Sequence, residues 1–504
     1  VASASIRLDP AFVVGDVNPR LFGTFVEHMG RCVYTGIFEP DHPTADEHGF
    51  RGDVAELVRE LGATVARYPG GNFVSGYNWE DGVGPAEERP RRLDMAWRSI
   101  ETNQFGTHEF LDWCEREDIE PMLAVNLGTR GLAEAIEYLQ YVLGDADLEL
   151  TRRRAANGRG EPWDVRLWCL GNEMDGPWQM GHKEPHEYAR LAQEVANAFR
   201  RLDPGLELVA CGSSNRQIET FGTWERVTLE ASFDKVDHIS AHAYYEPVDG
   251  DLTSFLACAE DMDRFIREVV ATADHVAAVK GSDKRIGVSF DEWNVWYQSR
   301  FGGETSLPIQ EAPRIIEDVY STLDAVVVGS LLITLLRHTD RVAVACQAQL
   351  ANVIGPIMTE PGGRAWRQTI FHPFALTARH AKGRVLQLAV DSPRIETERH
   401  GSVEQVWATA THDPATGAVT VLLANRSLDE DIEVAVDLSG LGDPALVEHL
   451  QVHTDNASEV NTADDPDRVR PHAGTSRIED GILTIAAPAV SWHCVRLTEG
   501  KQDA

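Results

Sequence analysis

Cysteine is scarce in this chain and never in a pairing pattern. Cys32, Cys114, Cys169, Cys211, Cys258, Cys346 and Cys494 are seven in number, widely spread, with no C-x-x-C or C-x-x-H spacing. That argues against a disulfide scaffold and against a zinc framework built on cysteine. Most of them fall inside apolar strand or helix patterns, so they read as reduced core residues of a cytoplasmic protein. No apolar run approaches the length of a membrane span. The first residues, Val-Ala-Ser-Ala-Ser-Ile-Arg, hold no apolar leader segment, although a leader already removed would leave the same start. Basic residues are also few: 46 against 80 acidic ones, a net charge of −34. Such a surface repels phosphate backbones and anionic lipid, so neither nucleic acid nor membrane is expected as a partner. It weighs against a highly anionic substrate too, except where a local pocket departs from the mean. There is no serine-hydrolase elbow. Gly70-Gly71-Asn72 is glycine-rich but lacks the Lys-Ser/Thr of a phosphate loop, and reads as close backbone approach around Asn72. No internal repeat or low-complexity tract interrupts the chain.

What is present is an ordinary globular composition, 43% hydrophobic over 504 residues, enough for a large domain and a smaller one. Strand and helix patterns alternate for about three hundred residues, the sign of a parallel sheet. The strands are read at 21–28, 63–68, 121–126, 164–173, 207–211, 236–244, 285–294 and 342–346. Helices are read at 53–61 with a Gly62 stop, at 107–117, at 186–202 behind Pro185, across about 252–280, and at 311–336. Eight such units close a (β/α)8 TIM barrel. Long irregular segments are expected at 28–50, 69–106, 151–163 and 296–310; loops that follow strands sit at the face where barrels place their sites. Beyond about residue 380 the pattern changes to short strands split by Gly, Pro and Asp turns, an antiparallel, jelly-roll-like β-sandwich. The expected division is therefore a catalytic barrel over 17–380 and a sandwich over 381–504, joined by the N-terminal strand 1–16.

Two of the barrel strands end in glutamate. One closes on Leu170-Gly171-Asn172-Glu173 and the other on Phe290-Asp291-Glu292. Two carboxyls at one barrel mouth are the equipment of glycoside hydrolysis, one to protonate the leaving oxygen and one to attack or to activate water. Each Glu alone could simply pair with a loop arginine; the matched position on two strands favours chemistry. Glu27 ends a third strand and is read as a substrate contact, since two carboxyls suffice. His238 and His242 are spaced by four, but in a strand that separates them by about 13 Å, too far for one ion. His238 is read as a core or loop residue and His242 as a contact near the mouth.

Trp168-Cys169-Leu170-Gly171-Asn172-Glu173 and Phe290-Asp291-Glu292-Trp293-Asn294-Val295-Trp296 resemble the acid/base and nucleophile segments of the α-L-arabinofuranosidases of glycoside hydrolase family 51. Phe22–His28, Arg67–Phe73, Asn78–Pro85, Ala96-Trp97 and Ala348–Ile354 resemble further segments of that family in the same order. The resemblance spans about 20 to 360, and the terminal sandwich fits it. It implies Glu173 as general acid/base and Glu292 as nucleophile. It implies that Asn172 bonds the sugar 2-hydroxyl, that Tyr244 holds the nucleophile, and that Glu27, Asn72 and Gln349 bind furanose hydroxyls, with Trp97 and Trp296 as apolar walls. Without the resemblance, structural roles would be the default for Asn72, Tyr244, Gln349, Trp97 and Trp296. The implied activity is retaining, exo-acting removal of terminal α-L-arabinofuranosyl units from oligo- and polysaccharides such as arabinan or arabinoxylan. No metal or cofactor is implied, and the family's habit implies a homo-oligomer, commonly a hexamer. Chemistry requires the two glutamates to differ, with more donors around Glu292 and with Glu173 kept protonated by the nearby negative charge. Two other readings remain: another barrel glycosidase, such as a β-xylosidase or endo-glucanase, and a carbohydrate-binding barrel without catalysis.

Overall fold

The computed structural model describes residues 2–500. Eight strands form a closed, all-parallel barrel: β1 (Gly23–Phe25), β2 (Val65–Tyr68), β3 (Glu120–Ala124), β4 (Leu167–Leu170), β5 (Glu207–Ala210), β6 (His238–Tyr245), β7 (Gly287–Val295) and β8 (Val342–Ala348). β8 pairs back onto β1 through Cys346–Gly23 and Ala348–Phe25. Leu167, Trp168, Cys169 and Leu170 are all buried, because a strand walled by side chains inside and helices outside has no solvent face. At least one α-helix follows each strand, from Gly52–Leu61 after β1 to Phe371–His380 after β8. The first ends where Gly62 takes φ 78°, a left-handed stop that suits glycine.

The expected helix at 311–336 is shorter. It runs Thr322–Arg337, started by a capping box in which Ser321 and Asp324 bond reciprocally. The segment before it is irregular, with Ala312 and Ile316 at positive φ. From this segment Ile316 lines the central cavity. Part of the irregular segment expected at 151–163 is helical, Glu149–Ala156. Buried Arg154 there bonds the carbonyls of Tyr141, Arg159 and Gly160, so a polar residue holds a turn that hydrophobic spacing could not reveal.

The sandwich has two sheets. One runs Ala389–Asp391, Ala2–Arg7, Ile432–Asp437, Ile482–Ala487, Thr475–Glu479; the other contains Val13–Asp16, Arg384–Leu386, Val406–Asp413, Ala418–Asn425, Ser491–Thr498, Ala445–Val452 and His472–Ala473. The pairing is antiparallel except that Ala2–Arg7 lies parallel to Ile432–Asp437. The helix Thr322–Arg337 is apolar almost all round because it is enclosed by the barrel on one side and the larger sheet on the other. Gly329 marks the closest approach: a Cβ there would stand 2.2 Å from the Trp492 ring.

At the barrel floor Arg20 donates to Glu120 at 2.6 and 2.7 Å and to Glu207 at 2.7 Å, and His238 meets the same Glu207 at 3.2 Å. His238 is thus a floor residue, far along its strand from His242. His238, with Arg20, holds the Glu207 carboxyl down to about 2 against the effect of burial. Arg20→Gln is expected to lower unfolding free energy by about 1–2 kcal/mol, since both carboxylates are partly solvated. A depressed carboxyl stabilises the fold above its unfolded value, so the gap should be full above about pH 4.5 and shrink as pH falls toward 2. Urea titrations of both proteins across that range read it.

Candidate active site

The two strand-end glutamates meet. Glu173 stands three residues past β4, where Gly171 takes φ 93° and Glu173 itself φ 43°, a left-handed turn that is strained for a non-glycine residue and that aims the carboxyl across the mouth. Glu292 arrives differently. Between Phe290 and Trp293, β7 carries one residue more than β8 opposite, and the same excess appears against β6 between Ser240 and His242. Strict alternation would send Asp291 and Glu292 to opposite faces; the bulge turns both inward.

His242 sits between them. Its Nδ1 lies 2.8 Å from Glu173 Oε1 and 3.5 Å from Glu292 Oε2, and its Nε2 lies 2.8 Å from Asp291 Oδ1. Burial alone would lower the imidazole pKa; the charges of Glu292, Asp291 and Glu173 override it and hold it up at about 10. Arg67, buried at the end of β2, donates to Glu292 Oε1 at 2.8 Å and to Asn172 Oδ1 at 2.6 Å. Tyr244 donates to Glu292 Oε2 at 2.9 Å and Trp178 to Glu173 Oε2 at 2.7 Å. Three carboxyls therefore surround two cations. One further proton neutralises the cluster, as an acid catalyst beside an ionised partner requires.

Glu292 does not have more donors than its partner: it accepts from Arg67 and Tyr244, and Glu173 accepts from Trp178 and His242. The expected source of asymmetry differs as well. Burial pushes the Glu292 carboxyl up, further than His242 and Arg67 pull it down, with the Glu173 charge reinforcing burial. Glu173, in turn, accepts two N–H donors instead of facing only negative charge. Tyr244→Phe removes one donor from Glu292. Its carboxylate should then form less readily, moving the acidic limb of the kcat/KM–pH profile upward by about one unit and lowering kcat/KM about 10- to 100-fold. A pH profile on an activated glycoside measures both.

Glu27, Asn72, Trp97, Glu173, Tyr244, Glu292, Trp296 and Gln349 all line one cavity of about 550 Å³. Glu27 accepts from Trp97 Nε1 at 2.9 Å, from the Phe73 amide at 3.0 Å and from Gln349 Nε2 at 2.7 Å. Burial and then the Glu292 charge raise its pKa to about 8. A Cβ on Gly70 or Gly71 would stand 2.9 or 3.0 Å from the Glu27 side chain, which is the close approach inferred around Asn72. Trp97 is thus wall and donor at once; Trp296 packs edge-on to Tyr244 at 5.2 Å. Asn172 is fully buried behind the carboxylates, outside the cavity lining, and its Nδ2 has no protein partner.

Two placements differ from expectation: neither Asn172 nor His242 lines the cavity. Both ring nitrogens of His242 are engaged, by Glu173 and Asp291, so it orients and charges the acids from behind the cavity wall. Glu173, His242 and Glu292 offer atoms within 4.8 Å of one another, and both His242 nitrogens there are already engaged by carboxylates. Arg67, Asp291 and Trp178 were missed as site residues. Arg67 had a signal, a charge inside an otherwise apolar strand, which must find a partner when buried. The loop carrying Trp178 offered none. The 28–50 segment packs within its own chain: Met29 reaches the cavity, His28 meets Glu101 and Tyr68, and buried Arg31 pairs with Glu317. All seven cysteines are free and buried.

A (β/α)8 barrel whose strand-end glutamates face each other across a sugar-sized, tryptophan-walled cavity defines a barrel glycosidase of the paired-carboxylate class. Comparison with known proteins is more specific. Residues 57–264 match the model of the α-L-arabinofuranosidase 1 domain and residues 291–491 that of the α-L-arabinofuranosidase C-terminal domain. The chain is 56% identical, over 99% of its length and 76% of the relative's, to an intracellular exo-α-(1→5)-L-arabinofuranosidase of Streptomyces lividans. It is 51% identical, over 97% of its length and 96% of the relative's, to an exo-α-(1→6)-L-arabinofuranosidase of Bifidobacterium longum. It superposes with TM-score 0.94 and 48% identity on a solved family 51 α-L-arabinofuranosidase from Bifidobacterium longum, covering 98% of this chain and 99% of that one. The chain belongs to the α-L-arabinofuranosidase family, glycoside hydrolase family 51, and is a glycoside hydrolase.

Proposed function

We propose that this enzyme removes terminal non-reducing α-L-arabinofuranosyl units from arabinose-containing oligo- and polysaccharides by double displacement. Glu292 attacks the anomeric carbon while Glu173 protonates the departing oxygen. A glycosyl–Glu292 ester forms, and Glu173, now a base, draws a proton from the water that cleaves it. The observation that carries this reading is the closeness of the two carboxyls, with oxygens within 4.8 Å. Retaining glycosidases hold their carboxyls about 5 Å apart, whereas inverting ones leave room for a water at roughly 6.5–9.5 Å. Arg67 and Tyr244 keep Glu292 placed for attack. Glu27, Asn72 and Gln349 on the cavity wall bond sugar hydroxyls, and Asn172, just behind that wall, holds the unpartnered Nδ2 assigned to the 2-hydroxyl. Exo action is supported by the relatives named exo-acting.

Within the same proposal the barrel spans 17–380, and the sandwich spans 381–504 with residues 1–16. The enzyme works in the cytoplasm, a reading supported by relatives named intracellular, and as a homo-oligomer, with a hexamer the size expected in light scattering. Among the described residues no helix is long and apolar enough to cross a membrane. The direct test is hydrolysis of an aryl α-L-arabinofuranoside beside an aryl β-xyloside. Turnover of the first is expected; turnover of the second alone would keep the mechanism and discard the substrate.

A further inference from the structure

The active-site cavity does not end at the catalytic residues. Past Asn215, Gln217 and Gln298 it continues into a groove of about 270 Å³. Gln217 also borders a third cavity, of about 720 Å³, lying between the helix Ala259–Lys280, the helix Thr322–Arg337 and the sandwich hairpin formed by Arg394–Thr397 and Gly401–Glu404. One side chain thus touches all three spaces.

The third cavity is unlike the rest of the surface. The chain carries a net charge of −34, yet arginines outnumber carboxylates along this wall. Some are already neutralised: Arg267 pairs with Asp263, Arg216 with Glu268, and Arg399 with Asp249. Three are not. Among the described residues Arg264 and Arg337 meet no carboxylate, Arg337 lying instead on the Trp407 ring at 4.0 Å, and Arg394 donates only to Ser402. Opposed to them, Glu404 is the wall carboxylate whose side chain has no arginine partner. An acidic protein whose arginines are mostly paired has here left three guanidinium groups without a carboxylate partner. A guanidinium fork matches a carboxylate in two parallel hydrogen bonds, and a local positive patch lets an anionic molecule approach a surface that otherwise repels it.

We propose that this cavity seats the far end of the leaving group and accepts a carboxylate-bearing, uronosyl residue of an oligosaccharide whose terminal arabinofuranosyl unit fills the catalytic cavity. The inference rests on the function proposed above. The probe is a matched pair of arabinofuranosyl oligosaccharides, one ending in a glucuronosyl residue and the other identical except that this carboxyl is reduced to the alcohol. At low ionic strength the acidic member is expected to show kcat/KM about fivefold higher, from two or three partly exposed ion pairs. The ratio should fall toward one in about 0.5 M NaCl, where screening is short-ranged, and in Arg264→Gln/Arg394→Gln, two exposed positions whose replacement does not disturb the core. Turnover of both members at equal rates would overturn the anionic seat and leave the arabinofuranosidase reading standing. A ratio that survives the double substitution would overturn it as well. Millimolar inorganic phosphate that alters turnover of the neutral member, with no difference between the pair, would make this an effector site and overturn it. Turnover of neither member would remove the reading and the seat together.

Discussion

Glu292→Ala should lower kcat by a factor on the order of 10⁵, the scale of losing a nucleophile from a concerted site. The loss should be nearly independent of the leaving group, because without the carboxylate no glycosyl ester forms at all. Arg67 and Tyr244 would then face an empty position, and the Arg67 guanidinium, 1% exposed along its side chain, would lose its closest counter-charge. Removing one member of a buried ion pair costs stability of about 3–5 kcal/mol, so the variant should also melt earlier. Glu292→Gln, which keeps the shape and a hydrogen-bond acceptor for Arg67, should be as inactive while recovering part of the stability. Steady-state kinetics and thermal melts on the two variants separate the chemical role from the structural one.

Glu173→Ala should behave in a contrasting way. A general acid contributes about 10²–10⁴ in rate, and how much of that is lost depends on whether the leaving group needs its proton. On oligosaccharides the loss should be near the upper end. On an aryl arabinofuranoside with a good leaving group the first step should persist and the second should slow, because no base activates water. The glycosyl enzyme then accumulates, seen as a burst followed by a slow phase. Azide needs no base, and the removed side chain leaves room beside Trp178 for it to enter. It should restore turnover and appear in the product as the α-glycosyl azide. His242 would lose its 2.8 Å partner on one side while keeping Asp291 on the other, so it stays anchored and the fold should be little affected.

The barrel could be read because its signals are local. Apolar runs such as Leu167–Leu170 and amphipathic helices such as Pro185–Leu202 announce themselves within a few residues, and Glu173 and Glu292 are visible as charges at strand ends. Features that depend on two distant segments could not be read. The bulge in β7 is defined only by its neighbours, so nothing in Ser289-Phe290-Asp291-Glu292 tells that both acids turn inward. The strand position of His242 puts it near the mouth, but its contacts come from the turn after β4 and from β7. Apolar spacing extends the helix back to 311 because Ile315 and Ile316 continue it, whereas the chain there is irregular, with Ala312 and Ile316 at positive φ and Ile316 at the cavity. Trp178 is set by the turn after Glu173, and the arginine-lined cavity by the meeting of barrel and sandwich; neither has a sequence pattern.

The central claim is that Glu292 and Glu173 work by double displacement on one face of the sugar. The most direct measurement is proton NMR of the arabinose first released from an aryl α-L-arabinofuranoside, recorded before mutarotation. Two successive inversions predict that the α-furanose appears first. Initial release of the β-anomer would mean that water, not Glu292, attacks the anomeric carbon, and would contradict the account.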